Sequence, residues 1–303
     1  MKKIIFTLLV LCALSLNAQD LFVGTYNIRN KNSSDSIKGN VWQKRSQVIC
    51  DLINFEQPQI FGAQEVLYEQ LNDMLLLLDN YDYVGVGRDD GKTKGEYSAI
   101  FYKKDRLKKL DSGHFWLNET PNKPVKGWDA ACVRICTWAE FEDKTTKLRF
   151  YFFTLHMDHV GVIARKESAK LIIKKIKEIN TKALPVVVTG DFNVDQNNEI
   201  YSIFTNSGIL KDSYTSAKQR FCENGTFNSF SSDLKTDGRI DHIFVSPIFE
   251  VNNYAVLTDG YWTENKQISD DIQGNDAPKE ISFKQYTKRT PSDHYPVFVK
   301  LHL

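Results

Sequence analysis

Residues 186–193 read Val-Val-Val-Thr-Gly-Asp-Phe-Asn, "VVVTGDFN". A short run of β-branched side chains is a buried strand, and this one runs straight into Asp191 and, two residues on, Asn193. A carboxylate at the end of a buried strand loses hydration, so it must be paired, hydrogen-bonded or bound to a metal. The same event recurs along the chain. "TYNIR" (25–29) holds Asn27 in an apolar frame, "FGAQE" (61–65) ends in Glu65, and "FFTLHMDH" (152–159) reaches His156. "RIDHIF" (239–244) holds Asp241 and His242, and "SDHYPVFV" (292–299) holds Asp293 and His294. Taken singly each has a plain reading: Asn27 a capped turn, Glu65 a helix first-turn acid, Asp191-x-Asn193 an Asx turn, and "TPSDHYP" (290–296) turn chemistry between two prolines.

Six such places invite one explanation. Oxygen donors without a thiolate suit a hard cation, Mg²⁺, Mn²⁺ or Ca²⁺, better than zinc. Mg²⁺ takes one or two carboxylates and completes its shell with water and phosphate oxygens, which points to a phosphoester site.

Around these stretches the chain alternates between two periods. Strand-like runs occur at 21–28, 59–64, 81–87, 97–104, 132–141, 147–156, 184–190, 239–245 and 295–303. Helix-like faces are formed by Val41, Val48, Ile49, Leu52 and Ile53, by Val66, Leu67, Leu71, Met74, Leu75 and Leu78, and by Ile172, Ile173, Ile176 and Ile179 within 161–180. Strands joined partly by hairpins and partly by helices predict mixed sheets covered by helices, with no internal repeat and no linker dividing the chain. Two long loops, 111–129 and 259–280, have the length of binding or lid segments.

The first residues, "MKKIIFTLLVLCALSLNAQ", place a basic pair before a short apolar run and small residues, the layout of a secretory signal over residues 1–19. The run is too short to span a bilayer comfortably, so the expected product is residues 20–303 as a single domain, exported to the periplasm or medium, with no membrane span. Losing Lys2 and Lys3 would turn the net charge of +1 into −1, which is not the basic footprint of a general nucleic-acid binder. Cys50, Cys132, Cys136 and Cys222 would remain. Cys132 and Cys136, four apart in an apparent strand, are too distant to bridge, and no paired C-x-x-C pattern argues for zinc.

"TYNIR", "GAQE", "FTLHMDH", "TGDFN", "GRIDHIF" and "SDHYP", in this order from residue 25 to 296, resemble the endonuclease/exonuclease/phosphatase superfamily of deoxyribonuclease-I-like phosphoesterases. "FWLNET" and "GWDAACVRICTW" look like an exported bacterial subset of it. The resemblance implies an α/β four-layer sandwich, two packed mixed sheets flanked by helices, with the site at strand ends. It implies that Asn27, Glu65 and Asp293 serve the metal, that His294 is the general base for water and that Asp241 orients its ring. Asp191 and Asn193 would position nucleophile and phosphate, and His156 would donate to the phosphoryl oxygens. Tyr97 matches a position that often contacts phosphate, against a plain reading as a core tyrosine, and Arg134 is the candidate cationic clamp. His159 and His242 are not assigned catalytic work; His242, next to Asp241, should face the other side of its strand.

The implied enzyme is a metal-dependent phosphoester hydrolase that uses water directly on a phosphorylated small molecule or a nucleic acid, with no stable protein partner required. The alternatives are a secreted nuclease and, from another class, a non-catalytic binding module on the same fold. A serine or cysteine hydrolase has no support, since there is no G-x-S-x-G and no cysteine in an activating context.

Overall fold

Successive side chains on a strand point to opposite faces, and in this chain both faces of the central strands are apolar. The computed structural model describes residues 20–221, 223–264 and 278–303. Its strands are β1 (Leu21–Asn27), β2 (Ile60–Val66), β3 (Tyr81–Val84), β4 (Tyr97–Lys103), β5 (Leu107–Trp116), β6 (Ile135–Asp143), β7 (Arg149–His156) and β8 (Val186–Asp191). There follow β9 (Lys211–Asp212), β10 (Gln219–Phe221), β11 (Asp241–Val245), β12 (Glu250–Val256), β13 (Tyr261–Glu264), β14 (Tyr286–Arg289) and β15 (Val297–His302). The helices are α1 (Ser33–Ile37), α2 (Trp42–Glu56), α3 (Tyr68–Leu77), α4 (Val162–Ile179), α5 (Glu199–Thr205) and α6 (Ser213–Ser216).

Two mixed sheets result, one ordered β10-β12-β15-β1-β2-β4-β3 and the other β5-β6-β7-β8-β11-β9, with β13 and β14 forming a separate ribbon. Leu21, Val23, Ile60 and Val299 of the first sheet meet Phe150, Phe152, Val187 and Ile243 of the second in one core. The outward rows are covered by helices: Phe61 and Ala63 by Ile49, Ile53, Leu71 and Met74 of α2 and α3, and Phe153, Val186 and Val188 by Ile172, Ile176, Ile200 and Phe204 of α4 and α5. Helices, sheet, sheet, helices is the four-layer sandwich that the family resemblance implies.

Gly62 sets how closely the sheets approach. A Cβ there would stand 2.2 Å from Thr154 Oγ1 and 2.4 Å from Thr189 Oγ1, both on the opposite sheet. Helix α4 begins where Asp129, from the 117–129 loop, accepts the Ala164 and Ile163 amides at 2.7 and 3.2 Å, a cap supplied from more than thirty residues away in the chain.

Several boundaries differ from expectation. Strand β6 starts at Ile135 rather than Cys132, because Ala131 and Cys132 give their amides to Asp158 instead of to a ladder. The first third of the expected 111–129 loop is the end of β5, and the 259–280 loop contains β13. Among the described residues Cys50, Cys132 and Cys136 are free thiols and no helix is long and apolar enough to cross a membrane. Residues 1–19, Cys222 and 265–277 lie outside the described residues.

Candidate active site

The inward rows of three central strands begin apolar and end polar. On β1 the row is Leu21, Val23, Thr25, Asn27; on β7 it is Phe150, Phe152, Thr154, His156; on β8 it is Val187, Thr189, Asp191. The polar ends hold each other across the sheet seam: Gln64 Nε2 donates to Thr154 Oγ1 at 3.0 Å and to Thr25 Oγ1 at 3.1 Å. Beyond this layer the seam opens into a cleft of about 350 Å³ lined by residues of both sheets and their loops.

Asn27, fully buried, is the hub. Its Nδ2 lies 3.0 Å from Glu65 Oε1, 3.0 Å from Asp191 Oδ2 and 3.4 Å from His294 Nε2, while its Oδ1 accepts the Arg29 amide at 3.0 Å. The sequence resemblance assigns Asn27 to the metal; in this arrangement it turns its nitrogen toward the carboxylates, and its oxygen is already engaged by Arg29. Glu65 reaches the cleft through a register shift in β2 and a left-handed φ of 62°, a conformation uncommon for a side-chain-bearing residue and frequent at sites where geometry is imposed.

His294 Nδ1 stands 2.8 Å from Asp241 Oδ2, and its Nε2 is 3.7 Å from Asp191 Oδ2. Burial by itself would lower the His294 pKa, but Asp241 and Asp191, with Asp293 behind them, reverse this and push it up to about 10. Asp191 is held above the usual carboxylate range by burial and by the Asp241 charge. His156 Nε2 lies 3.3 Å from Asp191 Oδ2; burial, then Arg134 and Arg88, hold its pKa well below 6.5, so it is a neutral hydrogen-bonding group. Asn193, at φ 51°, gives its amide to Asp191 Oδ1 and its Nδ2 to the Met157 carbonyl, which locks the loop after β8. His242 turns away, as expected, onto Val194 O at 2.9 Å among Phe192, Tyr201 and Phe244.

Arg134 borders the cleft at 5% exposure, its Nε 3.3 Å from Asp158 and its Nη2 3.0 Å from His159 Nδ1, with Nη1 buried and unpartnered among the described residues. Of the two readings of Tyr97, its packing favours the core tyrosine: its ring belongs to the core under α2 and α3 and its hydroxyl donates to the Lys92 carbonyl at 2.9 Å, although it also borders a small hollow with Arg134 and His156. Three cleft residues escaped sequence reading. Arg29 spans Asp293 (3.4 Å) and Glu65 (4.0 Å), Arg88 pairs with Glu96, and Phe227 stands beside His294. Loop arginines carry no periodicity to mark them, and Phe227 follows a glycine-bearing turn that resembles any other.

Behind the cleft, Arg45 is fully buried and, among the described residues, has no carboxylate partner. It donates to the carbonyls of Ile28 (2.7 Å), Arg29 (3.1 Å), Asn40 (3.1 Å) and Pro291 (3.0 Å), tying the loop after Asn27 to the loop before Asp293.

Among the described residues, two groups of His, Cys, Asp or Glu have ligand atoms close enough for a cation. Asp191, Asp241 and His294 form one. Cys132, Asp158 and His159 form the other, but Asp158 already accepts four backbone amides, from Ala131, Cys132, Val160 and Gly161, and is a loop clasp. Glu65 and Asp293, buried, all-oxygen and adjoining, fit a hard divalent ion; burial and then the Glu65 charge raise the Asp293 pKa, a cost that a dication would remove.

The model of the Endonuclease/Exonuclease/phosphatase family matches residues 24–294. The chain belongs to this family. A crystal structure of an endonuclease/exonuclease/phosphatase family protein from Bacteroides thetaiotaomicron is 48% identical, covering 94% of this chain and 98% of that one, with a TM-score of 0.87. A mannosyl-6-phosphatase of the same organism is 48% identical, covering 93% and 99%, with a TM-score of 0.85. D. rerio TDP2 complexed with a single-strand DNA product shares the fold at 16% identity, covering 94% and 100%, with a TM-score of 0.65. As a member of the endonuclease/exonuclease/phosphatase family the protein is a hydrolase of phosphoester bonds, in a family that depends on divalent metal ions.

Proposed function

We propose that this protein is a phosphomonoesterase acting on a phosphorylated sugar, with water as nucleophile and His294 as base. The observation that carries the reading is the His294–Asp241 pair opening onto Asp191, Asn27, Glu65 and Asp293 in one cleft. A dication beside Glu65 and Asp293 would oppose the carboxylates that raise the His294 pKa and leave the imidazole neutral, with its Nδ1–H donating to Asp241 and its Nε2 free to take a proton from water as the water oxygen attacks phosphorus. The P–O bond to the sugar breaks with its electron pair passing to the sugar oxygen, which takes a proton from solvent while His294 returns its own to solvent, and phosphate and the alcohol leave. Asp191 and Asn193 orient the attacking water and the phosphoryl group. His156 and the Arg134 guanidinium donate to the phosphoryl oxygens, placing fixed donors where charge develops. Glu65 and Asp293, with Asn27 beside them, would hold Mg²⁺ or Mn²⁺ or Ca²⁺, which would supply charge neutralisation at the phosphoryl oxygens. The sugar is suggested by the 48% identical mannosyl-6-phosphatase and by a cleft sized for a small molecule.

Phosphate release from a hexose 6-phosphate, an aryl phosphate, a phosphodiester, inositol phosphates, sphingomyelin and DNA, each with Mg²⁺, Mn²⁺, Ca²⁺ or EDTA, tests the reading. Ion-dependent release from the sugar phosphate, abolished by EDTA, is expected; cleavage of DNA alone would replace it with the nuclease. Residues 1–19 support export, which N-terminal sequencing of the mature protein would test: a first residue near Asp20 is expected.

A further inference from the structure

Phe227 is an exposed aromatic ring held without freedom. Its ring centroid is 5.1 Å from that of His294, and its backbone bridges to His294. On either side, Tyr295 donates to the Thr226 carbonyl and the Asn228 amide to the Asp293 carbonyl, both at 2.7 Å. Thr226 Oγ1 in turn accepts the Ile240 and Asp241 amides at 3.0 Å. The turn carrying Phe227 is therefore pinned to both members of the His294–Asp241 pair. Yet the ring itself is 42% exposed, and an apolar surface fixed at a catalytic cleft is a surface built to be covered.

The ring has a second pocket on it. Phe227 lines the catalytic cleft and also a separate hollow of about 250 Å³ that is walled by Glu223, Asn224, Asp233, Lys235 and Thr258. The second hollow combines short hydrogen-bonding groups with the apolar faces of Phe227, Leu234 and Tyr295. That is the chemistry of a polyhydroxylated ligand, whose C–H faces lie on an aromatic ring while its hydroxyls reach carboxylates, amides and ammonium groups. Two carboxylates, Glu223 and Asp233, line the hollow beside one ammonium group, Lys235, which disfavours a polyanion there.

We infer that the hollow beyond Phe227 is a subsite for a neutral sugar ring, so that the protein takes its phosphate from the end of an oligosaccharide rather than from a free sugar phosphate. The phosphorylated ring lies against Phe227 in the cleft and the next ring occupies the hollow. This rests on the phosphomonoesterase reading given above.

The test compares kcat/KM for an aryl phosphate, a hexose 6-phosphate and a disaccharide carrying that 6-phosphate on its terminal ring. The wild type should prefer the disaccharide over the hexose by roughly tenfold or more, the worth of one or two hydrogen bonds. Asn224→Ala and Asp233→Ala, on an exposed loop, should bring this ratio close to one, with melting temperature checking the fold. A wild-type ratio of one, or a preference that survives both substitutions, overturns the subsite while leaving a monoesterase in place. Failure to cleave even the aryl phosphate overturns both, and so distinguishes the two losses.

Discussion

His294 Nδ1 and Asp241 Oδ2, 2.8 Å apart, join the two sheets: Asp241 opens β11 of one and His294 stands three residues before the start of β15 of the other. The pair exists only when the sandwich is closed, and its chemistry can be removed without removing its shape. Asp241→Asn leaves a similar side chain but no charge to fix the tautomer of the imidazole, and His294→Ala leaves no base. Each should lower kcat by about 10²- to 10⁴-fold with a much smaller change in KM. Steady-state kinetics on an aryl phosphate measure this, and a KM effect without a kcat effect would assign the pair to binding.

The raised pKa of His294 has a thermodynamic counterpart. A histidine that stands near 6.5 when unfolded and at about 10 when folded adds stability that is fully present below pH ~6.5 and is lost as pH rises through about 10. In chelator, denaturant unfolding should show the wild type losing stability from pH 7 to 10 more steeply than His294→Gln. Parallel curves would mean that the imidazole is not held protonated by its neighbours.

Loading the metal should displace protons. Asp293 carries a raised pKa because of burial and the Glu65 charge, so a dication at this pair competes with a proton. Apparent Mg²⁺ or Mn²⁺ affinity should increase from pH 5 to pH 8, and calorimetric titrations in two buffers of different ionisation enthalpy should report proton release. An affinity independent of pH would place the ion elsewhere.

Arg45 gives the two metal-side loops a common anchor. Arg45→Met takes the side-chain donor from three buried carbonyls, those of Ile28, Asn40 and Pro291, and should cost at least about 3 kcal/mol in stability. Arg45→Lys keeps the charge but not the fork, and should recover part of the stability while leaving metal affinity weakened. Metal affinity equal to wild type in the lysine variant would reduce Arg45 to a packing residue.

Gly62→Ala tests the sheet spacing. Its new methyl would stand 2.2 Å from Thr154 Oγ1, an overpacking that costs typically about 1–3 kcal/mol. Denaturant midpoints measure it; a neutral result would mean that the seam yields easily.

Much of this was legible in the sequence because the strands announce their own ends. An inward row that runs Phe150, Phe152, Thr154, His156 changes from apolar to polar where the core gives way to the cleft, and the same change marks Asn27 and Asp191. Asp241 and His294 were legible for a related reason, since each stands at the entrance of an apolar run. What depends on loops was not: Arg29, Arg88 and Phe227 reach the cleft through backbone turns that hydrophobic period does not encode. Tyr97 carried two readings, phosphate contact and core. A tyrosine at the start of a strand can face either layer, and here Tyr68 stacks against it on the helix side. Cys132 was placed in a strand because the local pattern could not register that Asp158 takes its amide.

The pairing of β1 with β15 sets Leu21 opposite Leu301 and Thr25 opposite Val297. A contact between residues so distant along the chain closes a very large loop, and such contacts slow folding. Asn27 lies at the end of β1 and His294 just before β15, so their meeting waits on that closure. During refolding, secondary structure should therefore return well before catalytic turnover, and the lag between the two signals would time the moment at which the sandwich shuts.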